Sequence, residues 1–221
     1  MLGYYIDLAL RSLRRNKALT ALMVLSIALG IGASMTTLTI LHVLSGDPLP
    51  DRSSQLYYPQ LDPQDMKGYN PQDEPPDQLT WIDAMNLLHA RRADRQAVMT
   101  GGNVPVQPSR ANLDPFYTDA RFTTADFFPM FATPFEYGRG WNANDDEARA
   151  RVAVISRELN DKLFAGKDST GQLLRVNDAD LRIVGVMDAW HPNPHFYDLY
   201  MGKYAENEDV LLPLSTSRDL K

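Results

Sequence analysis

The chain has 221 residues, with 22 Lys and Arg against 28 Asp and Glu, a net charge of −6, and no cysteine. That acidic balance argues against nucleic acid as a partner and against adhesion to anionic lipid. The absence of thiols excludes a disulfide framework, zinc–thiolate sites and a cysteine nucleophile.

The leader, residues 1–17, sets Leu2, Ile6, Leu10 and Leu13 at helical spacing. Its charges are Arg11, Arg14, Arg15 and Lys17 against Asp7 alone, so the acidic excess of the chain lies entirely beyond it. Two readings stand for this amphipathic stretch: an interfacial helix along the cytoplasmic membrane surface, or an N-terminal extension of the segment that follows.

That segment, residues 18–44, reads ALTALMVLSIALGIGASMTTLTILHVL and carries no formally charged side chain over 27 residues. About 20 apolar residues suffice to cross a bilayer as a helix, the one form in which a lone segment pairs its own backbone in lipid. A cleaved signal would have an apolar region of about 7–15 residues and a small-residue cleavage site, and neither is present. The pattern predicts a spanning helix. Ser26, Gly30 and Ser34 recur at intervals of four, with Gly32 adding to the small residues, a composition that lets membrane helices approach closely. The cluster Arg11, Arg14, Arg15 and Lys17 marks the membrane boundary. By the positive-inside rule it stays cytoplasmic and residues 45–221 lie across the membrane, which is the periplasm in a Gram-negative cell.

Those residues suffice for one domain with a real core. Residues 45–76 are rich in Pro, Asp and Gln and read as a long loop, with Leu56-Tyr57-Tyr58 as one short strand. Thr80 then caps a helix in which Ile82, Met85 and Leu88 or His89 form an apolar stripe directed at the core. Short β pieces are expected at 96–99, 104–106, 111–113 and 117–121, with turns at Gly101-Gly102 and at residues 107–109. Phe127, Phe128, Phe131 and Phe135 form an aromatic core cluster around a short helix opened by Thr124 or Asp126. Gly138-Arg139-Gly140 reads as a tight turn and residues 145–147 as a solvated acidic loop.

The clearest pattern follows. Residues 152–155 read as a buried strand, Ser156 as a helix cap, Leu159 with Leu163 or Phe164 as the inner face of that helix, and Gly166 as its end. Residues 173–176 and 181–187 read as two strands joined by a turn at 177–180. The succession predicts an α+β domain with a mixed or antiparallel sheet.

The chemistry-bearing motifs are few. No GxxxxGK[ST] is present, and Gly166-Lys167-Asp168-Ser169 lacks the glycine spacing that cradles phosphate. His191 and His195, near Asp188 and Asp198, are separated by Pro192-Asn193-Pro194, which rules out the i,i+4 helical presentation of two metal-binding imidazoles. Loop packing accounts for these histidines better than a loop metal site.

The leader and span, LALRSLRRNKALTALMVLSIALGIGAS, resemble the start of MacB-type (MacB/FtsX/LolC-like) ABC transporter permeases. The later block resembles that family's periplasmic core domain through Asp126-Phe127-Phe128, Gly138-Arg139, residues 152–156, Leu163-Phe164, Gly171-Gln172 and residues 183–186. The resemblance implies an inner-membrane permease subunit without enzymatic activity or a cofactor of its own, the ATP being held by a separate ATPase subunit. It also implies a mechanical relay for efflux or extrusion, in which a cytoplasmic ATPase passes its motion through the spanning helices to periplasmic domains. The implied partners are that ATPase, a second permease copy, a periplasmic adaptor and membrane lipid. The family's three later spanning helices have no counterpart after Leu44, so the chain is expected to be a piece of a four-helix permease, or else a shortened relative. A single-pass binding or scaffold protein is the rival reading, and a membrane-tethered enzyme a third.

Overall fold

The computed structural model describes residues 2–47, 49–62, 70, 72, 74–109, 113–192, 195–198 and 207–219, arranged as two compact units, 1–46 and 47–221. The first unit is two helices, α1 (Leu2–Arg15) and α2 (Lys17–Leu44). They are separated at Asn16, whose backbone at φ −111° and ψ 63° leaves the helical region. The leader is thus a helix in its own right rather than an unbroken extension of the span. Of its apolar stripe, the side chains of Leu2, Ile6 and Leu10 lie outside those described, and Leu13 is exposed with Tyr4, Tyr5 and Leu8.

In the second unit a 3-10 turn (Ser53–Gln55) ends at Leu56, whose backbone is extended, but Leu56-Tyr57-Tyr58 pairs with no strand, so the short strand expected there does not form. Helix α3 (Trp81–Ala90) is capped by Thr80, whose hydroxyl accepts from the Asp83 amide. Its buried side is Ala84 with half-buried Met85 and Leu88. Ile82 is 70 % exposed, which removes it from the expected core stripe.

Strands β1 (Met99–Gln107) and β2 (Phe116–Thr123) form one long hairpin that runs straight through Gly101-Gly102, where a turn was expected. Both glycines pair within the ladder, Gly101 opposite Arg121 and Gly102 opposite Ala120, and a Cβ on Gly102 would meet the Phe122 ring at 3.4 Å, an ordinary contact. The expected piece at 111–113 falls on residues 111 and 112, outside the described residues, and Leu113 is not in a strand. Next come α4 (Phe127–Phe131) and β3 (Phe135–Gly138). Helix α5 (Ala143–Glu147) then replaces the expected acidic loop, because Asn142 and Asp145 close a capping box at its start. Its Asp146 is no solvated carboxylate: it accepts from the Trp141 indole N–H at 2.9 Å and the Ala125 amide at 2.7 Å.

The remaining elements are β4 (Val152–Ile155), α6 (Arg157–Phe164), β5 (Leu173–Val176), β6 (Ala179–Met187), β7 (Val210–Pro213) and α7 (Thr216–Asp219). The strand order is β3-β6-β4-β7-β2-β1-β5, and β5 also pairs with β6, so the ladder returns on itself. The pairs β4–β6 and β2–β7 are parallel and the others antiparallel, which makes this α+β domain a mixed-sheet one.

Alternation along the strands divides the interior in two. Ala153 and Ile155 of β4 and Val210 and Leu212 of β7 join Val104, Val106, Phe122 and Ile183 with Leu159 and Leu163 of α6. Val152, Val154 and Leu211 point the other way, into an aromatic cluster of Phe127, Phe128, Phe131 and Trp141. Both faces of β4 and β7 are therefore covered, which is why they read as unbroken apolar runs.

Candidate functional site

Along α2 none of the described side chains is buried, and residues 17–43 are long and apolar enough to cross a membrane. A core helix of a soluble domain would bury such a surface. Ser26, Gly30 and Ser34 follow one another up one side of it, and a Cβ at Gly30 would meet nothing within 4 Å. Gly32, two residues from Gly30 on a continuous helix, falls about 200° around the axis and so belongs to the opposite side. Ser26 donates to the Leu22 carbonyl at 2.9 Å, and Thr36 and Thr37 do the same one turn back, so these hydroxyls are satisfied within the helix. Arg11, Arg14 and Arg15 occupy the last turn and a half of α1, while Lys17 opens α2 on the far side of the break.

In the second unit the structure separates the two histidines. His191 is exposed, 3.3 Å from Glu158 and 2.7 Å from the Asn207 amide. His195 is buried, with its Nε2 3.5 Å from Glu208. No group of side chains suited to a metal ion occurs among the described residues.

His195 belongs instead to a buried charge cluster that spacing alone did not point to. Arg121 lies at the centre of β2, between the core residues Ala120 and Phe122 but facing the opposite way. Its Nε donates to Glu208 Oε1 at 2.8 Å and its Nη2 to both Glu208 and Asp198. Tyr197 donates its hydroxyl to Glu208 Oε2 at 2.8 Å and sets its ring under the guanidinium, 5.3 Å from centroid to Cζ. Tyr197 in turn stacks on Trp190 and meets Phe127 edge-on, which ties the charges to the aromatic core.

The electrostatics follow from burial and pairing. Burial disfavours the Glu208 carboxylate, but His195 and Arg121 outweigh it and hold its pKa down to about 2. At 3.5 Å the histidine contact is longer than a full hydrogen bond, so Arg121 is the firmer partner. Burial likewise disfavours the guanidinium, yet Glu208 and Asp198 keep Arg121 above its ordinary value. Burial, then the adjacent Glu208 charge, pushes the Tyr197 phenol up, so it remains a donor.

Beside the cluster, Asp209 accepts from Ser156 Oγ at 2.6 Å and from Thr118 Oγ1 at 2.5 Å, joining β2 to the start of α6. Ser156 Oγ also accepts from the Leu159 amide at 3.0 Å, so one hydroxyl both caps α6 and holds β7. A cavity of about 330 Å³ adjoins these groups, lined by Trp190, Tyr197, Glu158, Asp188 and Glu208 among others. Its carboxylates are already engaged: Asp188 by Arg157 at 3.0 Å, Glu158 by His191 and Glu208 by Arg121. The arrangement does structural work, joining strand to loop; it presents no activated nucleophile.

An apolar helix of membrane-crossing length and a mixed-sheet α+β domain with a buried, internally paired charge cluster define the class: a helix-anchored α+β domain. The profile of the MacB-like periplasmic core domain matches residues 20–221, and the chain belongs to that family. The macrolide export ATP-binding/permease protein MacB of Rhodospirillum rubrum is 28 % identical over 97 % of this chain and 32 % of its own length. The protein of the same name from Azoarcus sp. strain BH72 is 26 % identical over 94 % of the chain and 30 % of its own length. The chain thus spans about a third of the length of these relatives. Among solved structures, the periplasmic region of MacB from Actinobacillus actinomycetemcomitans aligns with 62 % of this chain and 56 % of its own at 16 % identity, TM-score 0.47. The extracellular domain of the transporter YknZ from Gram-positive bacteria aligns with 64 % and 65 % at 13 % identity, TM-score 0.47.

Proposed function

We propose that this chain is the anchoring helix and exterior domain of an ABC transporter permease subunit in a bacterial inner membrane, with its N-terminus cytoplasmic and its α+β domain periplasmic. The observation that carries the reading is the family match beginning inside the apolar helix and running through the whole domain. In this reading the subunit moves no substrate through a pocket of its own. It relays the motion of a separate, ATP-holding cytoplasmic ATPase to the periplasmic side, in the service of efflux, and works as a pair of permease copies with a periplasmic adaptor. Arg11, Arg14, Arg15 and Lys17 hold the membrane boundary, and the Ser26, Gly30 and Ser34 side of α2 packs against neighbouring helices. Gly32 serves whatever lies across the helix. Two features support a relay: a continuous apolar helix of membrane-crossing length, and a domain whose buried Arg121 is paired with Glu208 and Asp198.

The test is purification of the full-length gene product from its own membranes in mild detergent. An ATPase subunit with a Walker A motif is expected to co-purify in proportion. Recovery of the permease free of any ATPase, with or without non-hydrolysable ATP, would overturn the relay and favour a scaffold protein.

A further inference from the structure

The second unit begins at Asp47, and only Ser45 and Gly46 separate it from the end of α2 at Leu44. Ser45 is bound back to the helix, its amide to the Leu41 carbonyl at 2.9 Å and its hydroxyl to the same oxygen at 2.6 Å. Two residues span at most about 7 Å even when fully extended, so little slack separates the helix from whatever holds Asp47. What holds it is a built turn. Asp47 accepts from the Leu49 amide at 2.9 Å and from the Ser53 hydroxyl. The Leu49 carbonyl accepts from the Arg52 and Ser53 amides, each at 2.9 Å. The turn then reaches 77 and 78 residues along the chain: Arg52 Nη1 donates to the carbonyl of Pro129 and, at 3.1 Å, to that of Met130. Both carbonyls stand in the last turn of α4, where a helix leaves its acceptors short of intrahelical donors and a guanidinium can supply them. Leu49 and Leu56, on either side of the turn, pack half-buried against the aromatic cluster. Helix α4 is rooted in that cluster by Phe127, Phe128 and Phe131, none more than 6 % exposed.

We infer that residues 47–56 are a clasp that lands the apolar helix on α4, with Arg52 as its pin. Displacement of α2 then enters the domain through its aromatic half rather than through the half packed around α6. A close-packed cluster of rings does not yield to a small displacement, so α4 is the firm jaw and the turn the one that carries the chain. Arg52 is a positioning residue: its side is exposed, and its contribution is to hold two carbonyls of a helix 77 residues away. The clasp itself needs no ATPase. Its use as the point of entry deepens the relay reading and rests on it.

The first measurement is amide hydrogen exchange of the full chain in detergent micelles. The amides of Ser53 and Gln55 report on the turn and those of Met130 and Thr133 on α4, each being bonded within its own jaw. Arg52→Gln is expected to accelerate exchange at all four by at least about fivefold while β4 holds. Ser53→Ala, which releases Asp47, should accelerate the turn amides. Unchanged exchange at Met130 and Thr133 in Arg52→Gln would overturn the clasp, and so would a loss of protection that extends to β4, since that is general unfolding. The second measurement uses the full-length gene product with its ATPase. A non-hydrolysable ATP analogue is expected to change exchange at Met130 and Thr133 at least about twofold in the wild type and not in Arg52→Gln. No response in the wild type, or an equal one in the variant, would overturn the point of entry. If no ATPase co-purifies, the relay reading is what has failed, and the first measurement still decides the clasp.

Discussion

At the scale of single residues the most consequential choice is an arginine in the middle of a strand. Removing one partner of a buried ion pair costs more than the pair contributes, because the other partner is left charged and dry. Arg121→Met strands Asp198 and Glu208 together and is expected to destabilise the second unit by about 3–5 kcal/mol. Adding Asp198→Asn and Glu208→Gln to it should return most of that loss, which denaturant unfolding of the three variants will show. Acid acts on the same carboxylate. Glu208 titrates near 2 when folded against an ordinary 4.5, so the unfolded chain binds its proton first. Its contribution is complete above about 4.5 and is lost as the pH falls towards 2. Melting temperature should therefore drop through that window in wild type and more shallowly in Glu208→Gln.

At the scale of elements, Ser156 shows how one side chain serves two of them. It caps α6 by accepting from the Leu159 amide and donates to Asp209 at the entry to β7. Ser156→Ala is expected to cost about 1–2 kcal/mol, since it removes a cap and leaves Asp209 with one donor fewer. Ser156→Thr should retain most of the stability in the same thermal melt. The cap was legible in the sequence because it is local: a serine directly after VAVI and three residues before Leu159. The second bond was not, because Asp209 lies 53 residues away. The same distinction explains the other hits and misses. Residues 152–155, 173–176 and the later part of β6 declared themselves through apolar runs and alternation. The brief strands β3 and β7 exist only because β6, β4 and β2 offer them edges to pair with, which no window of FEYG or VLLP reveals. Gly101-Gly102 looked like a turn because glycine usually marks one, whereas here both residues pair with β2, which extends far enough to hold them in the ladder. Arg121 carried a faint signal, the one basic residue of a half-apolar strand that also holds Asp119. Its partners, 77 and 87 residues downstream, could be found only by folding the chain.

For the whole molecule the question is which side of the membrane each unit faces. The proposed cytoplasmic placement of α1 rests on an asymmetry of charge: Arg11, Arg14, Arg15 and Lys17 before the apolar helix, and an acidic domain after it. Four cations in a leader this short make a strong retention signal, and the acidic side contributes little to orientation, so the sign of the leader decides it. The lack of native cysteine makes the test clean, because any thiol introduced is the sole one. Asn16→Cys lies at the exposed break between α1 and α2, and Gln172→Cys lies on an exposed turn before β5. A membrane-impermeant maleimide added to intact spheroplasts is expected to label Q172C within minutes and N16C only after lysis. Replacing Arg11, Arg14, Arg15 and Lys17 with Gln should weaken that bias and let a fraction of N16C react from outside. Labelling of N16C in intact spheroplasts of the otherwise native chain would reverse the topology, and with it the direction in which the helix could pass any motion.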